Sequence, residues 1–364
     1  MKIPASRGRR QSRRRKKPAV PQPPAAPDSS LVREAPAIAG WAVLAALYFL
    51  PVLTQGNDVV LSKSGTDTWR QFFYWRHFAY ESLSRGEWPL WNPYIFSGTP
   101  FIAGIQSAVF YPFHVAYLLF GTAFAINLII AVHCFLATLF TYLYARYLEL
   151  SRPASIVAGL TFGYSAPYFL HIYSGHLSHL CTMVWLPLLF MVGEAFLRKR
   201  KIECALGGAV LLALQVFAGH PQYVFYTVIA VTLYYLVKAA LGPMQSDPKT
   251  RMFVLGGWGL MLATGFLLAG VQLAPTFELA RYSVRESLTY DWVASFSLAP
   301  EMLVTLLVPD FFGDSVSVPY WGKNYLWEMS VYLGIVPLIL ALAALVYDRR
   351  REVWVFFLIA ALAM

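Results

Sequence analysis

The sequence predicts an all-α, polytopic integral membrane protein, and three observations support this fold class. The chain of 364 residues is 58% hydrophobic and only 13% charged, whereas soluble domains carry about one quarter charged residues. Its mean hydropathy is +0.52. Several apolar runs approach or exceed the length of about 20 residues that a membrane-crossing helix needs. A water-soluble globular domain is therefore excluded.

A basic, proline-rich tail occupies residues 1–34. Its first 17 residues contain nine Lys or Arg and no acid, and the rest of the chain has 20 basic against 19 acidic residues. The net charge of +10 therefore belongs to the tail, whose composition predicts disorder. Such a run can bind nucleic acid. Because a membrane span follows, we favour a cytoplasmic segment beside anionic lipid and expect no nucleic-acid partner.

Residues 35–364 form the predicted transmembrane domain, with about nine apolar segments that are long enough, or nearly long enough, to cross a bilayer. The last segment begins near Val353 and runs to Met364, so we expect a C-terminally incomplete chain. The candidate spans are residues 35–53, 122–147, 154–172, 182–197, 204–218, 223–241, 252–274, 330–346 and 353–364.

The distribution of Lys and Arg predicts which connections face the cytoplasm. The tail, the basic run 198–201 (RKRK) and the run 348–352 (DRRRE) all fall on the inner side if each candidate span crosses once. The apolar stretch 101–120 would reverse this order if it also crossed. We therefore interpret it as a re-entrant or interfacial helix of a long first outer loop. The loops 54–121 and 275–329 then form the outer, candidate active-site face of a multi-pass protein.

Asp67 is the first candidate for chemistry, because it follows the first span in a loop that is rich in tryptophan and tyrosine. Such side chains lie at headgroup depth and would hold the loop against the membrane. Asp67 can cap a helix that begins at Thr68, or it can act as a general base near the lipid surface. Arg70 can form a local ion pair with Asp67 or bind a phosphate group.

Histidines are concentrated in the stretch HIYSGHLSH, which contains His171, His176 and His179. His176 and His179 have the spacing of neighbours on a helix, and a metal site is conceivable. The other ligands of a zinc motif are missing from the pattern, so we favour hydrogen bonding to a phosphate or sugar and leave metal binding open. His220 and Gln222, in the turn GHPQ, are costly polar residues at a membrane edge, which indicates a ligand.

The last outer loop contributes four more candidates. Arg281 and Arg285 have helical spacing and are either part of a solvated face or phosphate ligands. Asp310 and Glu328 lie among aromatic residues, which suits the hydroxyl groups and C–H face of a sugar and also suits an interfacial belt. The sequence contains no phosphate-binding glycine loop, serine nucleophile motif or redox motif, which argues against an ATP-driven or redox enzyme.

Three stretches resemble the bacterial YfhO-type membrane proteins, part of the GT-C class of polytopic glycosyltransferases. The first is GTDTWRQFFYWRHFAYESLSRGEWPLWNPYIFSGTPFIAGIQSAVFYP, and the others are GHPQ and PDFFGD followed by YWGKNYLWEMSVYLGIVPL. They lie between Gly65 and Leu338. The resemblance implies a transferase at the outer face of the bacterial inner membrane. It would move a sugar, with inversion, from a polyprenyl-phosphate carrier to a cell-envelope glycan or lipid acceptor.

The resemblance also implies that Asp67 is the catalytic base, because an acid in the first outer loop commonly has this role in the class. Arg281 and Arg285, with Arg70 and His176, are then candidates for holding the leaving phosphate. Many members carry a paired acid motif here, whereas threonines flank Asp67. Metal dependence therefore stays open, and no tightly bound cofactor is expected. A flippase for a lipid-linked glycan and a non-catalytic scaffold remain as alternatives, and the oligomeric state is undetermined.

Overall fold

The computed structural model describes residues 31–241, 247–283, 289–348 and 350–363, and the chain is predominantly helical within these ranges. The only sheet in the described ranges is a two-stranded antiparallel hairpin, which pairs Trp91 with Pro100 and Asn92 with Thr99. The predicted all-α class is therefore confirmed. Most of the predicted tail, residues 1–30, and Arg285 lie outside the described ranges.

The helices follow one another with short connections, apart from the two long loops. A π-helical turn, Thr68–Phe72, precedes α2, and three 3₁₀ turns occupy Ile105–Ser107, Pro112–Val115 and Pro300–Leu306. The two strands are β1 (Trp91–Asn92) and β2 (Thr99–Pro100). The α-helices are α1 (Leu31–Leu53), α2 (Phe73–Ser84), α3 (Ala116–Leu119), α4 (Thr122–Tyr147), α5 (Arg152–Gly163), α6 (Ala166–Tyr173), α7 (Leu177–Met183), α8 (Leu186–Lys199), α9 (Ile202–Phe217), α10 (Pro221–Leu241), α11 (Pro248–Leu268), α12 (Gly270–Ala280), α13 (Tyr290–Ala294), α14 (Leu326–Met329), α15 (Ile335–Tyr347) and α16 (Arg351–Ala363).

The length and composition of the helices indicate a membrane protein. Five helical segments in the described ranges are long and apolar enough to cross a bilayer, and α7 and α8 together form one of them. Three more predicted spans correspond to shorter apolar helices, so the predicted number of nine is not confirmed. The five segments are Arg33–Leu53, Thr122–Tyr147, Leu177–Lys199, Pro221–Ala240 and Pro248–Leu268, and the shorter helices are Ile202–Phe217, Ile335–Tyr347 and Val353–Leu362.

Two predicted spans are shorter as helices than their hydropathy suggests. The span 154–172 is divided between α5 and α6 at Tyr164 and Ser165, and a proline occupies the first turn of α6. Proline starts a helix readily but cannot continue one, because it has no amide hydrogen. The span 330–346 becomes helical only at α15, after Gly334 with φ +99°. Apolar composition therefore extends beyond the helix ends in both cases.

α1 begins at Leu31, before the predicted boundary at residue 35. The side chain of Glu34 is buried and accepts a hydrogen bond from the Tyr142 hydroxyl. Its carboxylate also pairs with Arg146 at 3.3 Å and with Arg152 at 3.7 Å. The last four residues of the predicted tail therefore belong to α1, and Glu34 among them connects this helix to α4 and α5.

Glycines allow the central helices to pack closely. A Cβ atom at Gly163 of α5 would lie 2.1 Å from the Thr138 hydroxyl and 3.0 Å from the Thr138 amide nitrogen of α4. A Cβ atom at Gly159, one turn earlier, would lie 2.8 Å from the Thr138 carbonyl oxygen. Small residues at this spacing let membrane helices approach each other. Gly265 of α11 has the same function against Ala209 of α9, at 3.0 Å.

The first loop folds against the bundle instead of projecting from it. The π turn and α2 together match the helix predicted to begin at Thr68. Arg76 of α2 is fully buried and donates hydrogen bonds to the backbone carbonyls of Ser107 and Gln106. These bonds attach α2 to the segment 101–120. That segment contains only short helical turns and α3, and no helix within it is long enough to cross a membrane.

A buried glutamate joins two helices at the end of the bundle that carries the RKRK run. Glu194 of α8 accepts hydrogen bonds from Arg198 at 2.8 Å and from the Tyr234 hydroxyl at 2.6 Å. Lys238 of α10 lies 3.4 Å from the same carboxylate. The basic residues from which we predicted the inner side of the membrane therefore also stabilise the packing of the helices. The side of the membrane that this end faces remains a prediction.

Candidate functional site

The candidate site forms where the first loop meets the turn between α6 and α7. Gly175 in this turn has φ +79°, a left-handed conformation that favours glycine. A Cβ atom at Gly175 would also lie 2.5 Å from the Thr68 amide nitrogen. Two hydrogen bonds hold the loop in this place, from Asp67 N to the Ser174 carbonyl and from the Thr68 hydroxyl to the Gly175 carbonyl. The turn therefore positions Asp67 through backbone contacts.

Asp67 occupies the position before the π turn, but its side chain makes no capping hydrogen bond. Its carboxylate is more than half exposed, and its Oδ2 atom lies 3.6 Å from His176 Nε2. Among the described residues, Asp67 forms no ion pair with Arg70, whose side chain is exposed on the same turn. Neither the cap nor the local ion pair therefore accounts for the carboxylate, which faces a histidine and solvent.

Three histidines converge behind Asp67. The Nδ1 atoms of His171 and His176 lie 2.8 Å apart, and the rings of His171 and His179 lie 3.6 Å apart between centroids. One ring nitrogen of each residue lies within 4.8 Å of the other two. His171 and His179 are buried, and His176 is partly buried at the mouth. We call these three residues the histidine cluster.

The start of α10 adds further side chains around the histidine cluster, and we call this group, together with Asp67, the polar pocket. The ring of His220 lies 5.0 Å from that of His179, and the ring of Tyr223 lies 4.0 Å from it. The exposed Gln222 instead donates a 2.6 Å hydrogen bond to the Tyr226 hydroxyl. His220 therefore lies beside the histidine cluster, and its predicted ligand-binding role remains a prediction. Tyr223, which the sequence analysis did not select, forms part of the wall.

A short helix from the last loop covers the other side of the mouth. The ring of Trp327 in α14 stands perpendicular to that of His176, with centroids 6.0 Å apart. The neighbouring Glu328 keeps an exposed surface and lies close enough to Tyr223 to interact with it electrostatically. Residues from both long loops therefore border one polar pocket.

Burial keeps the histidines at the mouth uncharged at neutral pH. Burial lowers the pKa of His176, although the Asp67 carboxylate opposes the change. Burial also lowers the pKa of His220 to about 4, and His176, whenever it is protonated, lowers this pKa further. Loss of water around Glu328 raises the pKa of its carboxyl group. The pocket thus offers neutral imidazoles, which accept hydrogen bonds or bind metals.

The predicted phosphate and sugar ligands are not all found here. Arg281 is exposed after the end of α12, and Asp310 is exposed in the last loop. Within the described ranges, no hydrogen bond, ion pair or ring contact joins Arg70, Arg281 or Asp310 to the histidine cluster. The phosphate-binding roles of these residues remain predictions, as does that of Arg285 outside the described ranges.

A separate apolar cavity of about 620 Å³ lies between the first loop and α12. Trp88, Leu90 and Phe110 of the loop line one side, and Val271 and Pro275 of α12 line the other. No residue of the histidine cluster lines this cavity. Its mainly hydrophobic wall suits an acyl or isoprenoid chain better than a sugar.

Comparison with family models, with curated proteins and with solved structures gives no match for this chain. Membership of the YfhO-type family therefore remains a prediction from the resemblance.

Sequence reasoning missed three residues of the pocket: His171, Tyr223 and Trp327. His171 belongs to the same HIYSGHLSH stretch as the selected histidines, so its spacing was visible. A break between two helices, however, turns His171 back towards His176. Tyr223 and Trp327 carried no signal that separates them from ordinary membrane-interface aromatics.

Proposed function

We propose that this chain is a membrane glycosyltransferase that moves a sugar from a polyprenyl-phosphate carrier to a cell-envelope glycan or lipid acceptor. The observation that supports this proposal best is the position of Asp67. A water-accessible carboxylate, free of capping and of a local arginine, borders a group of polar side chains to which both long loops contribute. A general base for a lipid-borne substrate needs this combination of access and placement.

In the proposed reaction, Asp67 accepts the proton of the acceptor hydroxyl while that oxygen attacks the anomeric carbon of the sugar. The bond from the anomeric carbon to the carrier phosphate breaks on the opposite face, so the product has inverted configuration. General-base catalysis contributes about 10²–10⁴-fold. Positioning of the two substrates and stabilisation of the leaving phosphate supply the rest of the acceleration.

Two features of the structure suit the two parts of such a donor. The indole of Trp327 lies against His176, the residue that faces Asp67, and aromatic faces commonly contact the C–H groups of a sugar ring. The exposed hydroxyl-binding candidate Glu328 is the neighbour of Trp327 in α14. The separate apolar cavity bordered by Trp88, Phe110 and α12 offers a place for part of the isoprenoid chain of the carrier. The proposal places the outer face of the membrane at this end of the bundle.

The test is complementation of a deletion strain by full-length genes that carry Asp67→Asn or Asp58→Asn. Asp58 is a matched control, because it is an exposed aspartate of the same loop. Mass spectrometry of the surface glycans is the readout, after blotting has shown equal membrane levels. We expect the deletion to remove one sugar, Asp58→Asn to restore it and Asp67→Asn to slow its transfer by about 10²–10⁴-fold, which leaves only a trace.

Restoration of the sugar by Asp67→Asn would contradict the proposed mechanism and favour a flippase or a scaffold. Vesicles that contain the purified protein separate these two alternatives. A flippase moves a fluorescent lipid-linked sugar between leaflets without breaking its phosphate bond, whereas a scaffold does neither.

A further inference from the structure

We propose that His171, His176 and His179 bind one divalent transition-metal ion of the zinc type, with Asp67 orienting His176. The inference rests on the geometry of the histidine cluster and does not depend on the transferase proposal. It assigns a metal site to a pattern that the sequence left open.

The distances within the cluster match a three-histidine ligand set after small side-chain movements. Zn–N bonds of about 2.0–2.1 Å in a tetrahedral site place ligand atoms about 3.3 Å apart. One nitrogen from each histidine lies within 4.8 Å of the other two, and the Nδ1 atoms of His171 and His176 are 2.8 Å apart. The required changes are rotations of rings, because the α6–α7 turn already brings the three side chains together.

The cluster contains one buried ring nitrogen that has no hydrogen-bond partner among the described residues. This atom is Nε2 of His179. A buried polar atom without a partner is destabilising, because it has lost its hydrogen bonds to water and gained none in the protein. The His171–His176 hydrogen bond satisfies two nitrogens but leaves this one orphaned. A metal ion in the cluster would satisfy it.

Two other buried histidines in the described ranges lie outside the cluster, and one of them, His114, also has an unpartnered Nε2 atom, so the convergence of three rings and not one orphaned nitrogen sets the cluster apart. His133 donates or accepts at both ring nitrogens, towards the Tyr111 hydroxyl at 2.7 Å and the Ile129 carbonyl at 2.7 Å. His133 is therefore explained by packing and hydrogen bonding. The histidine cluster is not explained in the same way.

Asp67 provides the support that metal-binding histidines usually have. A ligating imidazole commonly donates its second N–H group to a carboxylate, which fixes the tautomer and the ring orientation. His176 is close to this arrangement, since Nδ1 faces the cluster and Nε2 lies 3.6 Å from Asp67, a separation that a small side-chain rotation would shorten to a hydrogen bond. A proton on Nε2 leaves the Nδ1 lone pair free for a metal ion.

The donor set selects the class of metal. Imidazole ligands suit zinc, copper, iron and nickel, whereas magnesium and calcium require mostly oxygen ligands. Three protein ligands leave a fourth tetrahedral position open, as in catalytic zinc sites. That position is available to water or to an oxygen of an anionic ligand.

The test measures metal binding by full-length protein that is purified in detergent with a histidine-free tag. The protein is stripped with a chelator, dialysed with Zn²⁺ or Co²⁺, and analysed by elemental mass spectrometry and visible absorption. Variants His176→Asn, His179→Gln and Asp67→Asn are compared with His77→Gln. His77 is the matched control, because it is an exposed histidine on α2.

We expect one Zn²⁺ per chain for the wild type and for His77→Gln, and Co²⁺ absorption bands typical of tetrahedral nitrogen coordination. His176→Asn and His179→Gln should weaken Zn²⁺ binding at least tenfold. Asp67→Asn should weaken it by about tenfold, because an outer-shell partner typically contributes a factor of 10–100.

Three outcomes would overturn the proposal: no stoichiometric Zn²⁺ in the wild type, undiminished binding by both histidine variants, or a Co²⁺–thiolate band that assigns the metal to a cysteine. If His179→Gln fails to fold, the more exposed His176 supplies the deciding variant. If both fail, the Co²⁺ spectrum of the wild type decides. Metal content is read without substrate, so failure here is distinct from failure of the transferase proposal.

Discussion

The Nε2 atom of His176 lies 3.6 Å from Oδ2 of Asp67, although His176 directly precedes α7 and Asp67 belongs to the first long loop. The carboxylate is largely exposed and the histidine is mostly covered, so the contact joins the solvent side of the pocket to its interior. The pair thereby links the proposed base to the histidine cluster.

If Asp67 and His176 act as one unit, their substitutions will not be additive. Asp67→Asn with His176→Gln should lose no more sugar transfer than Asp67→Asn alone, because residues that act together share one contribution. Complementation with quantitative glycan mass spectrometry measures the loss. Asp67→Asn combined with His77→Gln is the control and should also match Asp67→Asn, because His77→Gln alone should be neutral. Losses that multiply in the Asp67/His176 double variant would show independent roles.

Gly175 should tolerate no side chain. Gly175→Ala introduces a Cβ atom 2.5 Å from the Thr68 amide nitrogen, and the backbone there cannot move without displacing Asp67. Gly86→Ala is the control, since Gly86 has φ +78° but open space around it. The control carries only the left-handed penalty of about 1–2 kcal/mol. We expect a larger fall in the melting temperature in detergent for Gly175→Ala, together with loss of transfer. Equal falls would mean that the close approach to Thr68 is unimportant.

The Glu194 contacts should contribute substantially to stability. Glu194→Ala leaves the partly buried Arg198 and Lys238 without their shared carboxylate. We expect a loss of about 3 kcal/mol, the lower end for a broken buried ion pair, because Arg198 keeps its contact with Glu149 at 3.1 Å. Glu81→Ala removes the exposed pair with Arg85 and should cost only about 0–1 kcal/mol. Unfolding in detergent with added denaturant provides the comparison, and similar losses would contradict the burial argument.

Asp314 should order its loop in a pH-dependent way. One carboxylate oxygen accepts hydrogen bonds from the amides of Val316, Ser317 and Val318, which lowers the pKa of Asp314 to about 2. A lowered carboxyl pKa gives a contribution that is present above the unfolded pKa of about 4 and is lost as the pH falls through about 2.

Hydrogen exchange checks this prediction. Asp314→Asn should speed exchange at the three amides at pH 7, and the ratio between variant and wild-type rates should fall towards one as the pH is lowered through the same window. Asp310→Asn, an exposed aspartate nearby, should leave these amides unchanged. A ratio that is independent of pH would assign the ordering to the neutral loop geometry instead.

Much of the fold was predictable because the membrane imposes a simple requirement. A spanning helix must satisfy its own backbone hydrogen bonds and cover them with apolar side chains, so hydropathy and length reveal it. The helix that begins at Thr68 was predictable from the residue before it, because aspartate commonly precedes the first turn of a helix. The exact helix ends were less predictable, because the break at Ser165 and the late start at Ile335 depend on proline and glycine positions that hydropathy averages away.

The site was only partly predictable. Asp67, His176, His179, His220 and Glu328 were selected from sequence and do meet around one pocket. His171 was passed over, and Arg70, Arg281 and Asp310 were selected although the described contacts do not join them to the histidine cluster. The neighbours of a polar residue in the chain indicate whether it lies in a helix or in a connection, and roughly how deep in the membrane it lies. They do not indicate which residues it contacts in the folded structure.

The amino-acid sequence was enough to identify a helical membrane protein and to locate most of its apolar helices. It also showed that the unusual polar residues occur in the connections between those helices. Which of those residues meet depends on the tertiary structure. Hydrogen bonds to the backbone carbonyls of Ser174 and Gly175 hold the first loop, and the left-handed glycine leaves room for Thr68. Because every residue has a backbone carbonyl, no pattern of side chains in the sequence indicates which carbonyls accept these bonds.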